Sequence, residues 1–444
     1  MSEPVDRPAI ARRASYGPRS PAVGGRGART RQRLLDAALL QFADRGFYAT
    51  AVDDIARTAG VSRATLYQYF ESRDEIATEL LEECGSALLR VVRRLGALGP
   101  TAEGYDNLHW WLGEWAYVYD KYATMFVQWA HIDSPNTQLR PLITRFVEGY
   151  TAALADRIAE ADVTGVDPDH IAIALTTVIE RVNYYLQTQD IPVSPDVAID
   201  TLAMAVQRVL FPATPARAFT HRHEPARARR LIPADRRAPT ATRRRAPAPP
   251  AVAEESNAAA QQSIETLLRA GAAVFARDGY RSSSVDQILA ESGLSRRTFY
   301  KYFGSRLDLL VSLSDACAQD VSALADGFAA AAKGDGLTDW VASFVELTER
   351  DGGVLRIWIE EPEEPPVRHR GEAALAHLLD AIEAVLRKRK NPKGFDPTAG
   401  AFIVLALLER VPHQGVATRY ELGRDDLVGT ITAFITRGVL GSPR

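Results

Sequence analysis

The chain of 444 residues predicts an all-α protein built from two tandem helical units. Two observations carry this. Apolar residues recur at three- and four-residue steps, without the strict alternation of a half-buried strand. In addition, residues 30–76 are written a second time at 263–309, at a constant offset of 233 (293 − 60, Gly293 against Gly60). From Phe42 to Ile76, fifteen of thirty-five positions are identical between the copies, far above chance. The duplication runs on: Trp129 matches Trp358, and Glu180-Arg181-Val182 matches Glu409-Arg410-Val411, now at an offset of 229 (358 − 129). Whole units were duplicated, with a net loss of four residues in the second.

The expected organisation is a basic disordered arm over 1–29, a helix-turn-helix segment over 30–76 and a helical domain over 77–211. A linker over 212–262, a second helix-turn-helix over 263–309 and a second helical domain over 310–440 follow. The linker is rich in Pro, Ala and Arg with few large apolar residues, which predicts an extended or disordered stretch. A net charge of −3 conceals local attraction for polyanions. Eight arginines and no acid lie between Arg7 and Arg33, and ten arginines against Glu224 and Asp235 lie between Arg217 and Arg245. No secretory or membrane-length apolar run is apparent, and two cysteines suit a reducing compartment, so a soluble cytoplasmic protein is expected. No nucleophile–base set, phosphate loop or metal constellation stands out, so neither catalysis nor a cofactor is expected. His221, His223 and Glu224 sit in the linker without metal-site spacing.

Each copy reads as two short helices about a tight turn. Val52, Ile55, Ala56 and Ala59 form the buried stripe of the first helix. Thr50 with Asp53, and Ser283 with Asp286, suit a capping box at its start. Gly60 supplies a turn at positive φ, and Ser62 and Ser295 suit the N-caps of the next helix. Leu66 and Phe70 face inward, as do Phe299 and Phe303, which leaves Arg63, Ala64, Thr65, Tyr67 and Gln68 outward. Arg pairs with guanine, Gln with adenine, and Thr or Ala meets a thymine methyl, so this face suits a major groove. Tyr67, Tyr69 and Arg73 suit phosphates. A merely solvated helix end would not be expected to recur in a second copy.

Both segments resemble the N-terminal domain of the TetR family of bacterial transcriptional regulators. The resemblance rests on Gly46, Val52, Asp53, Ile55, Ala56, Ala59, Gly60, Val61, Ser62, Leu66, Tyr67, Tyr69, Phe70 and Arg73. In the second copy it rests on Gly279, Val285, Asp286, Ile288, Gly293, Leu294, Ser295, Phe299, Tyr300, Tyr302, Phe303 and Arg306. It implies DNA contacts from Thr50, Arg63, Ala64, Thr65, Tyr67, Gln68, Tyr69 and Arg73. In the second copy they fall to Ser283, Arg296, Arg297, Thr298, Tyr300, Lys301, Tyr302 and Arg306. It also implies a helical effector domain and a dimer made by the last two helices. Arg73 and Arg306 stand where the family more often has lysine.

The expected function is a sequence-specific regulator of a double-stranded DNA operator, a ligand-responsive repressor with two reading heads on one chain. The alternative is an interaction protein in which one unit is only a structural partner. Ala64 and Gln68 become Arg297 and Lys301, which predicts two non-identical half-sites, the second richer in guanine. A flexible linker of about fifty residues spans roughly 40 Å and raises the local concentration of its ends towards the millimolar range. Pairing within the chain is therefore expected through Ile171–Tyr185 and Val197–Leu210 with Ala401–Val411 and Leu427–Val439; a homodimer of tandem chains with four heads is the alternative. The stripe Leu108, Trp111, Trp115, Tyr119 and Tyr122, with Phe126 and Trp129 nearby, is either core or the wall of a pocket for a small apolar effector. The second unit offers Trp340, Phe344 and Trp358. Cys84 and Cys317 are equivalent and read as packing residues or as a thiol sensor.

Overall fold

The computed structural model describes residues 25–132, 139–188, 192–220, 258–360, 364–417 and 422–441. Among them lie sixteen α-helices and no strand. In the first repeat these are α1 (Gly25–Arg45), α2 (Val52–Thr58), α3 (Arg63–Tyr67), α4 (Arg73–Arg93), α5 (Ala102–Ile132), α6 (Leu139–Ala159), α7 (Pro168–Thr188) and α8 (Pro195–Leu210). In the second they are α9 (Ala258–Ser282), α10 (Val285–Ser292), α11 (Arg296–Tyr302), α12 (Arg306–Ala331), α13 (Leu337–Glu360), α14 (Pro365–Arg387), α15 (Pro397–Ala417) and α16 (Arg424–Ala433). A π-helical turn, Phe434–Val439, continues α16. No described helix is long and apolar enough to cross a membrane.

Two sequence boundaries move. Helix α1 begins at Gly25, inside the expected arm, and α9 at Ala258, inside the expected linker. A 3-10 turn at Ala216–Thr220 also lies inside the expected linker, where Ala218 and Phe219 are buried and the Phe219 ring meets Tyr105 edge-on at 5.2 Å. Residues 1–24 of the arm and 221–257 of the linker, with His221, His223 and Glu224, lie outside the described residues.

The chain forms two compact units, one from Met1–Leu88 with Tyr122–Arg145 and one from Leu89–Lys121 with Phe146–Arg444. These cut across the sequence domains for a physical reason. Helices α7 and α8 of the first repeat bury their apolar faces on α15 and α16 of the second, so both C-terminal parts share one unit. Within that unit α7 lies against α15, and α8 against the π-helical turn. Helix α8 also touches α15 as α16 touches α7.

Polar groups stitch this seam. The Arg181 guanidinium donates to the Glu409 carboxylate, both side chains being almost wholly buried, and lies 4.4 Å from the Tyr184 ring. The Asp396 backbone N–H donates to the Thr201 hydroxyl at 3.1 Å. Arg208 and Arg437, equivalent at the 229 offset, each cross to the other repeat. Arg208 lies 5.8 Å from the Phe395 ring, and Arg437 donates to the Thr164 carbonyl at 3.1 Å.

Candidate nucleic-acid interface

The first head lies in the first compact unit. Leu34, Leu35, Ala38 and Phe42 of α1 pack with Ile55 and Ala56 of α2 and with Leu66 and Phe70, all buried. Removing a side chain such as Leu66 from water is worth roughly 1.5–3 kcal/mol. This anchors a reading helix of only five residues, too short to be stable alone. Gly60 takes φ 65° and Gly293 φ 68°, the left-handed turn the sequence requires. Ser62 caps α3 by accepting from the Thr65 N–H at 3.0 Å, and Ser295 caps α11 by accepting from the Thr298 N–H at 3.1 Å.

These anchors turn one face outward. Arg63, Ala64, Tyr67 and Gln68 are exposed, with Thr65 and Tyr69 half-buried. In the second head, inside the second compact unit, Arg296, Arg297, Tyr300 and Lys301 are exposed, with Thr298 and Tyr302 half-buried. Tyr67 and Tyr300 are among the few large apolar side chains left in water, at 44% and 51% exposure. In both heads an acid lies beside the first arginine of this face. Asp53 accepts from Arg63 at 2.9 Å and Asp286 accepts from Arg296. The Tyr67 hydroxyl first, and Asp53 next, hold the Arg63 guanidinium above its ordinary range. Because these pairs are exposed, each arginine can exchange its acid for a base edge or a phosphate at little cost.

Four of the residues expected to contact DNA are bonded to their own heads. Thr50 and Ser283 are buried, and their hydroxyls donate inward, Thr50 to the Gly46 carbonyl at 2.7 Å and Ser283 to the Tyr280 carbonyl at 2.7 Å. Neither side chain is free to meet DNA, and neither builds a capping box. The N-cap of α2 is Ala51, which has no side-chain bond. That of α10 is Ser284, whose hydroxyl accepts from the Gln287 N–H at 3.3 Å. Arg73 and Arg306 are turned onto their own heads. Arg73 donates to the Tyr48 carbonyl at 2.8 Å over the Phe47 ring at 4.3 Å, and Arg306 donates to the Ser283 carbonyl over the Tyr280 ring at 4.1 Å. They staple the start of the following helix to the turn before the reading pair.

This gives a test. Each phosphate contact adds about 0.9 to the slope of log affinity against log salt. Replacing Arg73 or Arg306 by alanine is expected to lower thermal stability while leaving that slope unchanged; a slope reduced by about one per arginine would restore the phosphate role.

Sequence reasoning missed that the basic run ends in structural arginines. Arg31 pairs with Glu79 and donates to the Tyr69 carbonyl at 2.9 Å, and Arg33 donates to the Ala59 carbonyl. A signal was available: the second copy has Ile264 and Ser312 where the first has Arg31 and Glu79, so the pair changes together.

The described aromatic candidates are buried. Trp111, Trp115 and Tyr119 are buried in the second compact unit, with Trp115 stacked on Tyr119 at 5.6 Å, whereas Phe126 belongs to the first. Nothing is described of the Trp129 side chain. Trp340, Phe344 and Trp358 are buried as well. Trp340 donates to the Leu324 carbonyl at 2.8 Å and Trp358 to the Ser314 hydroxyl at 3.3 Å. The Trp111 indole N–H, by contrast, is buried without an acceptor among the described residues. Both thiols are buried, and burial pushes Cys317 well above the ordinary thiol range, which favours packing over sensing. No metal-holding cluster of His, Cys, Asp or Glu occurs among the described residues.

The sequence profile of bacterial regulatory proteins of the tetR family matches residues 34–80 and again residues 267–313, at the same offset of 233 (267 − 34). The DNA-binding region typical of the TetR family is therefore present twice in this chain, as a tandem duplication. Three relatives are named as regulators. A biofilm-operon negative regulator, IcaR of Staphylococcus epidermidis, is 23% identical over 161 residues, or 36% of this chain and 80% of its own. The transcriptional activator FasR of Mycolicibacterium smegmatis is 40% identical over 78 residues, 18% of this chain and 35% of its own. The transcriptional repressor KstR2 of the same organism is 39% identical over 64 residues, 14% of this chain and 31% of its own. The chain thus spans four fifths of the first relative and about a third of the other two.

Proposed function

We propose that this chain is a TetR-type transcriptional regulator that binds one operator with two unlike heads, brought together by pairing of its own two repeats. The observation that carries this is the Arg-x-Thr-x-Tyr face kept in both heads, with Arg63 and Tyr67 exposed beside half-buried Thr65 in one and Arg296 and Tyr300 exposed beside half-buried Thr298 in the other. A second unit retained only as a structural partner has no reason to keep Arg297, Tyr300 and Lys301 in water. Packing of α7 and α8 on α15 and α16 supports pairing within the chain, because a tether converts association into an intramolecular step. Repression is the proposed sign, since occupancy of a promoter suffices for it; the relatives' names include both signs.

The test is unbiased selection of DNA by the full chain, followed by footprinting and the mass of the complex. One chain protecting two dissimilar half-sites is the expected result. Two chains on four half-sites would replace single-chain pairing with a dimer of tandem chains, and absence of any sequence preference would remove the reading altogether.

An apolar effector carrying one hydrogen-bond acceptor is proposed for the first repeat, where Trp111 offers its unused donor. An effector that releases the selected DNA is expected to act about fivefold more weakly on W111F, with DNA affinity unchanged in its absence. Equal response of W111F and wild type would place the effector elsewhere.

A further inference from the structure

We propose that the seam between the repeats is partner-specific: the α8 face of the first repeat is shaped for the second repeat and excludes another first repeat. This rests on pairing through α7, α8, α15 and α16, and sharpens it. Gly438, in the π-helical turn, is a close approach between the two repeats in which main chain takes part. A Cβ there would lie 2.7 Å from Val209 Cγ2 and 2.8 Å from the Ala205 carbonyl oxygen, distances real side chains do not adopt. The residue equivalent to Gly438 in the first repeat is Val209 itself (438 − 229). Two first repeats brought together in this register would therefore meet valine to valine, with one Cβ driven into the backbone of Ala205. The obstacle is main chain, which cannot rotate aside.

A second position departs from symmetry in the same direction. Gly441, at φ 66°, leaves room for the Arg208 guanidinium, and a Cβ there would collide with its Nη2. The first repeat has Pro212 at that position (441 − 229). These two recesses belong to the second repeat, while at Gly165 the first repeat in turn receives the Arg437 guanidinium of the second. The backbone also differs between the repeats, since Phe434–Val439 is π-helical while the matching stretch of α8 is α-helical. Two second repeats would set glycine against glycine and leave the volume of Val209 unfilled, which also costs stability. A duplicated chain gains from this: its repeats find each other and do not chain into open assemblies.

Disulfide trapping in the full chain tests the idea. The Asp396 N–H meets the Thr201 hydroxyl at 3.1 Å, so T201C/D396C probes pairing of unlike repeats. Asp167 is the first-repeat equivalent of Asp396 (396 − 229), so T201C/D167C probes pairing of two first repeats in the same register. The native Cys84 and Cys317 are buried and stay out of the reaction. The expected result is closure of T201C/D396C and no chain-to-chain disulfide in T201C/D167C. A chain-to-chain disulfide in T201C/D167C overturns the proposal, as does failure of both variants to close. Closure of T201C/D396C between two chains instead of within one would end single-chain pairing yet uphold partner specificity. As a companion, G438A is expected to melt about 5 °C below wild type. G429A, where a Cβ meets open space, should melt at or above wild type. Equal melting of the two alanine variants would overturn the proposal.

Discussion

Replacing Arg181 by methionine is expected to destabilise the second compact unit by about 3–5 kcal/mol, because it leaves the Glu409 carboxylate buried without its cation. Both side chains are at most 4% exposed, so water cannot take over the missing bonds. The same change removes the guanidinium from the rings of Tyr184 and Tyr185, at 4.4 and 5.5 Å. Burial, and after it the Glu409 charge, hold the Tyr185 phenol well above its ordinary range, so it stays neutral: it adds no second negative charge beside Glu409, and it offers no cation either. Chemical unfolding followed by tryptophan fluorescence reads the effect, since Trp111 and Trp115 lie in the same unit. Removing both charges, as R181M/E409L, is expected to recover most of the loss, because an apolar pair carries no desolvation cost. The exposed Arg387–Glu383 pair supplies the contrast, and R387A should cost less than about 1 kcal/mol. If R181M unfolds at the wild-type midpoint, the pair does not hold the seam.

What the sequence reveals about this fold divides by distance along the chain. Gly60, Gly293, Ser62 and Ser295 are legible because each answers a local backbone demand, a left-handed turn or an unsatisfied N–H, within three residues. The capping boxes fail by a single residue. The caps fall on Ala51 and Ser284, and Thr50 and Ser283 turn inward to bind the carbonyls of Gly46 and Tyr280. Arginine is ambiguous in a different way. A guanidinium suits a phosphate and a backbone carbonyl equally, so Arg73 and Arg306 show their role as staples only once Tyr48 and Ser283 are placed beside them. The compact units were not legible, since they follow from pairing between residues some 230 positions apart, as in Arg181 with Glu409. Within the second compact unit α7 and α8 lie against α15, α16 and the π-helical turn; that this packing serves as the pairing of two DNA-reading repeats is our proposal. The apolar faces of these helices showed in the sequence, whereas the glycine recesses that fit them together did not.

The same contrast between shared and divergent positions governs the heads. Residues that hold the reading helix (Leu66 against Phe299, Ser62 against Ser295) keep their chemistry, as do the paired Arg63 and Arg296 with their acids. Divergence concentrates on exposed positions that hold nothing in place. Stability alone leaves such exposed positions free to differ, so only a change in the DNA selected tells altered reading from drift.

Making the second face like the first, as R297A/K301Q, is therefore expected to leave thermal stability within about 0.5 kcal/mol while changing what the protein binds. Arg297 and Lys301 are exposed, and Lys301 has only the Tyr302 ring at 5.0 Å as a described cation–ring neighbour. A bidentate base contact carries about 1–3 kcal/mol of discrimination, so affinity for the selected site should fall roughly 10- to 100-fold. If either cation instead holds a phosphate, the salt slope falls by about 0.9 for each, and the loss spreads over all sequences. Unbiased selection separates these outcomes. The wild-type chain should prefer two dissimilar half-sites, and the variant should drift towards a palindrome as its faces become alike. A palindrome from the wild type, or an unchanged preference in the variant, would show that Arg297 and Lys301 do not read sequence. The specificity would then have to arise from positions common to both heads, such as Arg63 and Arg296.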